Sequence, residues 1–539
     1  MIMAEEMLNN ILEWCFKYTN ILQAKEDENT GKGFIHYVSE QGYTPVFAKF
    51  LAKKIDVNLK DKAGKTPLHL ASMNGHSKVV ELLIQNGVAV DQPDDLQSTS
   101  LHHASSNGHL EVVKFLIENK ANIDHVNVSN RSPLYLASEK GYLKIVDLLI
   151  QYGANIESES YSGFTPLHIA SDHGHLDVTR FLLEKGADVK NLTENIWTPL
   201  HTASHNGYLE IAKQLIDYGA EIDWQTHIKN TPLNLASKRG HIEIVKLLIH
   251  HKANINTPDE DDLTPLHNAV HYGHLEVTEL LIQNNAQLNC QSKKKNTPLH
   301  FASIKDSIDT ARILINKGAD LNIKNDDCKT PLHITAEKKQ LEIARLLVHY
   351  GANLTSKDNE LKTPLHLVSS NGHLEIAKLL VHNEANINCI DYNSKTALHY
   401  SSFYKHSEIV KLLLESKVCT TIKDIDDKTA LDIAKENNQK DIYQMIYKSM
   451  FQSIYINGES NENQDHDAIK EIIYKNFESN FSSNQKICEV CYDQRKGTFA
   501  FQPCGHAKTC ETCSFKIVNE SKICPMCRGH VTKYQKIFD

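Results

Sequence analysis

The sequence predicts a mostly α-helical protein: a long repeat solenoid of about twelve full units and a degenerate N-terminal unit, followed by a small cysteine-rich module. Three observations predict it. A Thr/Ser-Pro-Leu-His-like tetrapeptide returns at a constant interval. Glycine and apolar positions keep the same period. Seven of the twelve cysteines crowd between Cys488 and Cys527. At 539 residues the chain is also far too long for one hydrophobic core.

The tetrapeptide opens at Thr66, Thr99, Ser132, Thr165, Thr198, Thr231, Thr264, Thr297, Thr330, Thr363, Thr396 and Thr429, always 33 residues apart. Such a register defines a repeat architecture. The hydroxyl residue suits a helix N-cap, where its oxygen accepts a backbone N–H. Pro67 and its equivalents fit the first helical position, where a missing donor costs nothing. Gly75, with Gly108, Gly141, Gly174, Gly207, Gly240, Gly273 and Gly372, ends the first short helix in a left-handed turn. A second helix follows with apolar residues at helical spacing, such as Val79, Val80, Leu83 and Ile84. The Leu83 position is leucine in every copy except the last, which has Ile446.

No unit buries its apolar stripe alone, so neighbours must stack into a continuous core with atypical ends. Gly42 falls one period before Gly75, which makes residues 33–62 a degenerate first unit. Residues 429–450 close the stack, with Asp432 in place of the usual histidine. The string Thr66-Pro67-Leu68-His69-Leu70-Ala71 with Gly75-His76 resembles the ankyrin repeat, over residues 31–450. That resemblance implies two antiparallel helices and a sideways hairpin per unit. It assigns inter-repeat hydrogen bonds to His69, His102, His168, His201, His267, His300, His333, His366 and His399. Asp306, Lys339, Lys405 and Asn438 stand where glycine is expected, so those copies should be less stable and bend or fray.

Ankyrin proteins commonly bind partners on the concave side, through hairpin tips and late first-helix positions. Carried onto this chain, those positions are Tyr161, Phe164, His173, Trp197, His205, Leu263, His271 and Tyr272. Large rigid side chains bury area at low entropy cost, so an aromatic cluster is a candidate for gripping a protein substrate. The competing reading is that Trp197 and Phe164 only pack adjacent hairpins. Tyr392, Phe403 and Tyr404 form a smaller second group.

Residues 1–30 are expected to be a helical segment and residues 451–484 a flexible acidic linker, since NGESNENQDHD has little to bury. A short helix is expected around residues 468–477. The final module, residues 485–539, pairs its ligands as Cys488/Cys491, Cys504/His506, Cys510/Cys513 and Cys524/Cys527. Four such pairs can close two tetrahedral sites, and thiolate and imidazole donors suit zinc. The order of three cysteines, one histidine and four cysteines resembles the RING finger. Its cross-braced pattern implies one zinc on Cys488, Cys491, Cys510 and Cys513, and a second on Cys504, His506, Cys524 and Cys527. In so small a domain the two Zn2+ ions supply much of the folding energy.

RING domains carry no nucleophile. They hold a ubiquitin-conjugating enzyme, charged with ubiquitin as a thioester, in a reactive posture so that a lysine can attack. The resemblance places Val490 and Pro525 against the conjugating enzyme and makes Arg528 the linchpin that bridges it to ubiquitin; a planar guanidinium fork reaches several carbonyls at once. Phe501-Gln502-Pro503-Cys504-Gly505-His506 is most similar to the RINGs of the inhibitor-of-apoptosis group. Those dimerise, and Phe538 stands where their tail aromatic reaches the partner's ubiquitin, so homodimerisation through the RING is expected.

The expected function is therefore that of a RING-type E3 ubiquitin-protein ligase, an acyl transferase that forms no covalent intermediate. The alternative is an ankyrin scaffold with an inactive structural zinc finger. A formal charge of -9 argues against general nucleic-acid binding. The N-terminal stretch MIMAEEMLNNILEWCFKYTNILQAK lacks the profile of a signal peptide, and no apolar run is long enough for a membrane span. A cytoplasmic or nuclear location is expected. DNA-binding zinc fingers are disfavoured by the ligand order and the lack of a basic recognition helix.

Overall fold

The structure, a computed structural model, describes residues 29–52, 56–456, 490–493 and 498–501; of residues 451–456 and the last two stretches only the backbone is described. The described residues divide between Lys293 and Lys294 into two units, each taken by itself. The first holds eight helix pairs, from Phe34–Gln41 and Thr44–Ala52 to Pro265–Tyr272 and Leu275–Gln283. The second holds five, from Pro298–Lys305 and Ile308–Asn316 to Ala430–Glu436 and Lys440–Ile456.

Within each unit, first helices pack on first helices and second helices on second helices of neighbouring repeats. The second helices present one apolar stripe inward. Leu83, Leu116, Leu149, Leu182, Leu215, Leu248 and Leu281 in the first unit have no exposed surface, and neither do Leu314, Leu347, Leu380, Leu413 and Ile446 in the second. Each such side chain stabilises its stack by about 1.5–3 kcal/mol relative to exposure.

The tetrapeptide histidines connect repeats as expected. His69 Nδ1 accepts from the Thr66 N–H at 3.0 Å, so the proton sits on Nε2, which donates to the Ser98 carbonyl of the next repeat at 3.2 Å. His102, His168, His201, His300, His333, His366 and His399 bond in the same way to the carbonyls of Arg131, Trp197, Asn230, Lys329, Lys362, Lys395 and Lys428. Burial lowers the pKa of His69, His102, His168, His201, His300, His333 and His366 to about 4, which keeps each ring neutral. Where the repeat has Asn234 instead, its Nδ2 donates to the carbonyls of Leu263 and Thr257.

Two expectations need correction. Asp306, Lys339, Lys405 and Asn438 do not fray their repeats: each takes the left-handed turn, with φ of 58°, 64°, 66° and 54°, and the flanking helices keep full length. The stack holds the turn even where glycine is missing. The closing helix Lys440–Ile456 also runs past residue 450 into the stretch expected to be linker. Isoleucine, tyrosine and methionine recur along it, and the helix continues until the polar run begins.

Candidate functional site

Each hairpin is set by a short polar side chain that caps its own turn. Ser160 Oγ accepts from the Phe164 N–H at 3.2 Å, Thr193 Oγ1 from the Trp197 N–H at 3.0 Å, and Asp259 Oδ1 from the Leu263 N–H at 2.9 Å. This turn places Phe164, Trp197 and Leu263 directly before the N-cap threonine of the next helix. Trp197 is held from two sides, because its carbonyl accepts from the Thr193 N–H and from His168 Nε2. Ile196 beside it has φ of 61°, a left-handed conformation that β-branched residues rarely adopt.

The eight predicted face residues separate into groups. Phe164 is half-buried and packs on Tyr135, Leu136 and Ile169, so it belongs largely to the packing of its hairpin against the first helices Pro133–Glu139 and Pro166–Asp172. Trp197 is also half-buried, with its ring tilted over His201 at 6.0 Å and edge-on to His205 at 5.5 Å. His205 Nε2 accepts from Arg239 Nη2 at 2.9 Å. Burial first, and then the Arg239 charge, hold the pKa of His205 below its ordinary value. His271 and Tyr272 meet edge-to-face at 4.9 Å, and the ammonium of Lys238 lies 5.6 Å from the Tyr272 ring centre. Helix Pro232–Arg239 carries both Lys238 and Arg239, and so connects the Trp197–His205 group to the His271–Tyr272 group.

Tyr161 stands exposed at a hairpin tip, His173 is exposed with its Nδ1–H donating to the Ile169 carbonyl at 3.1 Å, and Leu263 is half-buried. In the second unit Tyr392, Phe403 and Tyr404 are exposed. Lys238 and Arg239 stand beside these aromatics but are not among the residues the sequence points to, which are chosen chiefly for their rings. The available signal was two adjacent cations in a first helix between two repeats bearing Trp197 and Tyr272. Among the described residues no group of three or more His, Cys, Asp or Glu side chains could hold a metal ion.

Of the cysteine-rich module, the backbone of strand Val490–Asp493 is described, paired antiparallel with Thr498–Phe501 so that Val490 faces Phe501 and Cys491 faces Ala500. This hairpin was not anticipated from the sequence. Cys488, Cys504, His506, Cys510, Cys513, Cys524, Pro525, Cys527, Arg528 and Phe538 lie outside the described residues, as do residues 1–28 and the helix expected around 468–477. The donor set itself fits zinc: seven thiols and one imidazole, in closely spaced pairs.

Comparisons with known proteins agree with both halves. Ankyrin repeats (3 copies) match in overlapping stretches from residue 2 to residue 457, and a zinc finger of C3HC4 type (RING finger) matches residues 484–534. A putative apoptosis inhibitor, ORF106 of Ostreid herpesvirus 1, is 50% identical over 54 residues, which is 10% of this chain and 11% of that protein. The E3 ubiquitin-protein ligase APD2 of Arabidopsis thaliana is 40% identical over 58 residues, 11% of this chain and 13% of that protein. These relatives correspond to the RING region alone, so the chain spans little more than a tenth of their length. The crystal structure of the human ASB11 ankyrin repeat domain is 27% identical, covering 41% of this chain and 99% of that one at a TM-score of 0.39. No helix among the described residues is long and apolar enough to cross a membrane. The chain belongs to the ankyrin-repeat family and carries, over residues 484–534, a zinc-binding RING finger.

Proposed function

We propose that this protein is a RING-type E3 ubiquitin ligase whose ankyrin repeats hold a protein substrate while the RING recruits a charged ubiquitin-conjugating enzyme. One observation carries the reading. The complete ligand series from Cys488 to Cys527 is followed directly by Arg528, in a region 40% identical to a plant E3 ligase. An inactive zinc finger has no evident need for a cation at that place.

Cys488, Cys491, Cys510 and Cys513 hold one zinc, and Cys504, His506, Cys524 and Cys527 the other. Both ions are structural, closed by four protein ligands, and supply folding energy. Val490 and Pro525 offer apolar surface to the conjugating enzyme. Arg528 donates to carbonyls of that enzyme and of ubiquitin, and restricts the thioester to conformations open to a lysine. Phe538 serves a RING homodimer in this reading, and Trp197 with its neighbours selects the substrate.

Self-ubiquitination with a panel of conjugating enzymes tests the proposal. Wild type should give ubiquitin ladders. Arg528→Ala should reduce them by about tenfold or more, the loss of one positioned charge-assisted donor, with zinc content unchanged. Cys491→Ser should abolish them through loss of metal. Wild-type protein with two bound zincs and no ladder under any enzyme would instead make the chain a scaffold.

A further inference from the structure

The cations of the first unit that neighbour hairpins are not all alike. Arg131, which lies 5.1 Å from the Tyr135 ring centre, is paired with Glu139 at 3.3 Å. Arg239 has a different partner: its Nη2 donates to His205 Nε2 at 2.9 Å, and that acceptor is a neutral ring. Among the described residues neither Arg239 nor Lys238 forms an ion pair with a carboxylate; Lys238 instead lies 5.6 Å from the Tyr272 ring centre. Asp172 acts on His205 from the preceding repeat, and its carboxylate is engaged by Asn206 Nδ2 at 2.8 Å. Arg239 is exposed, and Tyr272 is half exposed. Two cations are thus held in place by aromatic rings, neither ion-paired with a carboxylate among the described residues, beside a partly exposed tryptophan.

We infer that the face built on Trp197, His205, Lys238, Arg239 and Tyr272 takes a peptide segment that carries an aspartate or glutamate close to a bulky apolar side chain. The inference rests on the proposal that this face selects the substrate, and it names the chemistry selected. The Arg239 fork has further N–H donors beyond the one given to His205, in a plane that matches a carboxylate. The apolar side chain gains its burial against Trp197 and Tyr272, residue types that dominate protein interfaces. A nucleic acid fits poorly. Glu194, Glu260 and Asp262 are exposed on the flanking hairpins and repel a continuous phosphate backbone, whereas a single carboxylate reaches the cation pair alone.

The full chain, probed with an array of short random-sequence peptides, tests this. Retained peptides should be enriched in Asp or Glu within a few positions of Leu, Ile, Met or an aromatic. By fluorescence anisotropy, Lys238→Gln/Arg239→Gln should weaken them by about tenfold or more, the loss of charged hydrogen bonds. Trp197→Ala and Tyr272→Ala should weaken them as well, and a single-stranded oligonucleotide should not displace them. Tyr272→Ala guards against a folding defect at Trp197. Absence of acidic enrichment, displacement by the oligonucleotide, or failure to retain any peptide would overturn the inference. If the aromatic variants lose the peptides while Lys238→Gln/Arg239→Gln keeps them, the face still binds substrate and only the charge assignment falls. If no variant has an effect, the face itself is wrongly placed.

Discussion

The two units of repeats solve one turn in two ways. In the first unit every first helix ends on glycine, from Gly42 to Gly273, with φ between 71° and 88°. From Gly42 to Gly240, though not at Gly273, the next repeat lays a ring on it: His109 on Gly75, Tyr142 on Gly108, His175 on Gly141, Tyr208 on Gly174, His241 on Gly207. The histidines also donate from Nε2 to a carbonyl 36 residues earlier, as His109 does to Met73 at 2.9 Å. In the second unit Asp306, Lys339, Lys405 and Asn438 occupy that turn, and at the first three the residue supplied by the next repeat, or its hydrogen bond, differs. Gln340 and Gln439 replace the ring, and Gln439 Nε2 donates to the Phe403 carbonyl at 3.2 Å. After Lys339, His373 is turned to donate from Nδ1 to the Ala336 carbonyl at 2.8 Å. Gly372 keeps the first unit's arrangement, with His406 donating from Nε2 to the Ser370 carbonyl at 3.0 Å. The left-handed turn is therefore imposed by the stack, and glycine matters chiefly where a ring must lie on it.

Acid should blur this comparison by attacking what both units share. His69, His102, His168, His201, His300, His333 and His366 have a native pKa of about 4, against about 6.5 for an unfolded chain. The sign follows from proton uptake. Between those values the unfolded chain binds more protons than the native one, so stability is present above about pH 6.5 and falls as pH drops toward 4. Each histidine forfeits up to about 3 kcal/mol across that window. Hydrogen exchange measured repeat by repeat from about pH 7 to about pH 4.5 should show protection lost around His168 and His333 but retained longer around Asn234, which has no ring to protonate. Uniform loss, with Asn234 no better protected, would remove the histidines from the explanation.

Glycine substitution should separate the units. A Cβ on Gly75 would lie 2.5 Å from His109 Nδ1, and one on Gly174 would lie 2.6 Å from Tyr208 Cε1, both in a left-handed turn. Gly75→Ala should cost about 2–3 kcal/mol from strain and overpacking together. Gly87→Ala, also left-handed but with nothing within 4 Å, should cost only about 1 kcal/mol. Pairing Gly75→Ala with His109→Gln copies the second unit's solution and should recover part of the loss, a coupling that a double-mutant cycle reads directly. Equal costs at Gly75 and Gly87 would show that the ring contact contributes nothing.

The repeat region was legible because one register writes each contact many times. Period, caps, the Leu83 stripe and the histidine position all follow from local rules that agree with one another. The turn at Asp306 and Lys339 is not legible in the sequence, because a residue's own conformational preference says nothing of the neighbour that accommodates it. The face was only half legible for a related reason. Trp197 and Phe164 look alike in sequence and are both half-buried, yet Phe164 packs on Tyr135 and Ile169 while Trp197 lies against His201 and His205. Which neighbours each aromatic meets depends on side chains of the surrounding repeats, beyond any local pattern. The cysteine module was legible as chemistry, since ligand types and spacing are written in the sequence itself.

The smallest effect gives the sharpest form of the comparison. If the stack imposes the left-handed turn, each non-glycine residue in it carries strain that the sequence can release. Lysine has no local means of offsetting that strain, whereas Asp and Asn tolerate the conformation through short polar side chains. Glycine relieves the strain but raises the entropy lost on folding by roughly 0.5–1 kcal/mol. Lys339→Gly and Lys405→Gly should therefore stabilise their repeats by about 0.5–1 kcal/mol, the strain released less that entropy. Asp306→Gly and Asn438→Gly should come out near zero. Denaturant unfolding resolved by hydrogen exchange in the second unit can separate these pairs. Equal gains at all four positions would mean that side-chain chemistry is irrelevant to the turn. A loss at Lys339 and Lys405 would mean that the lysines contribute contacts stronger than the strain they bear.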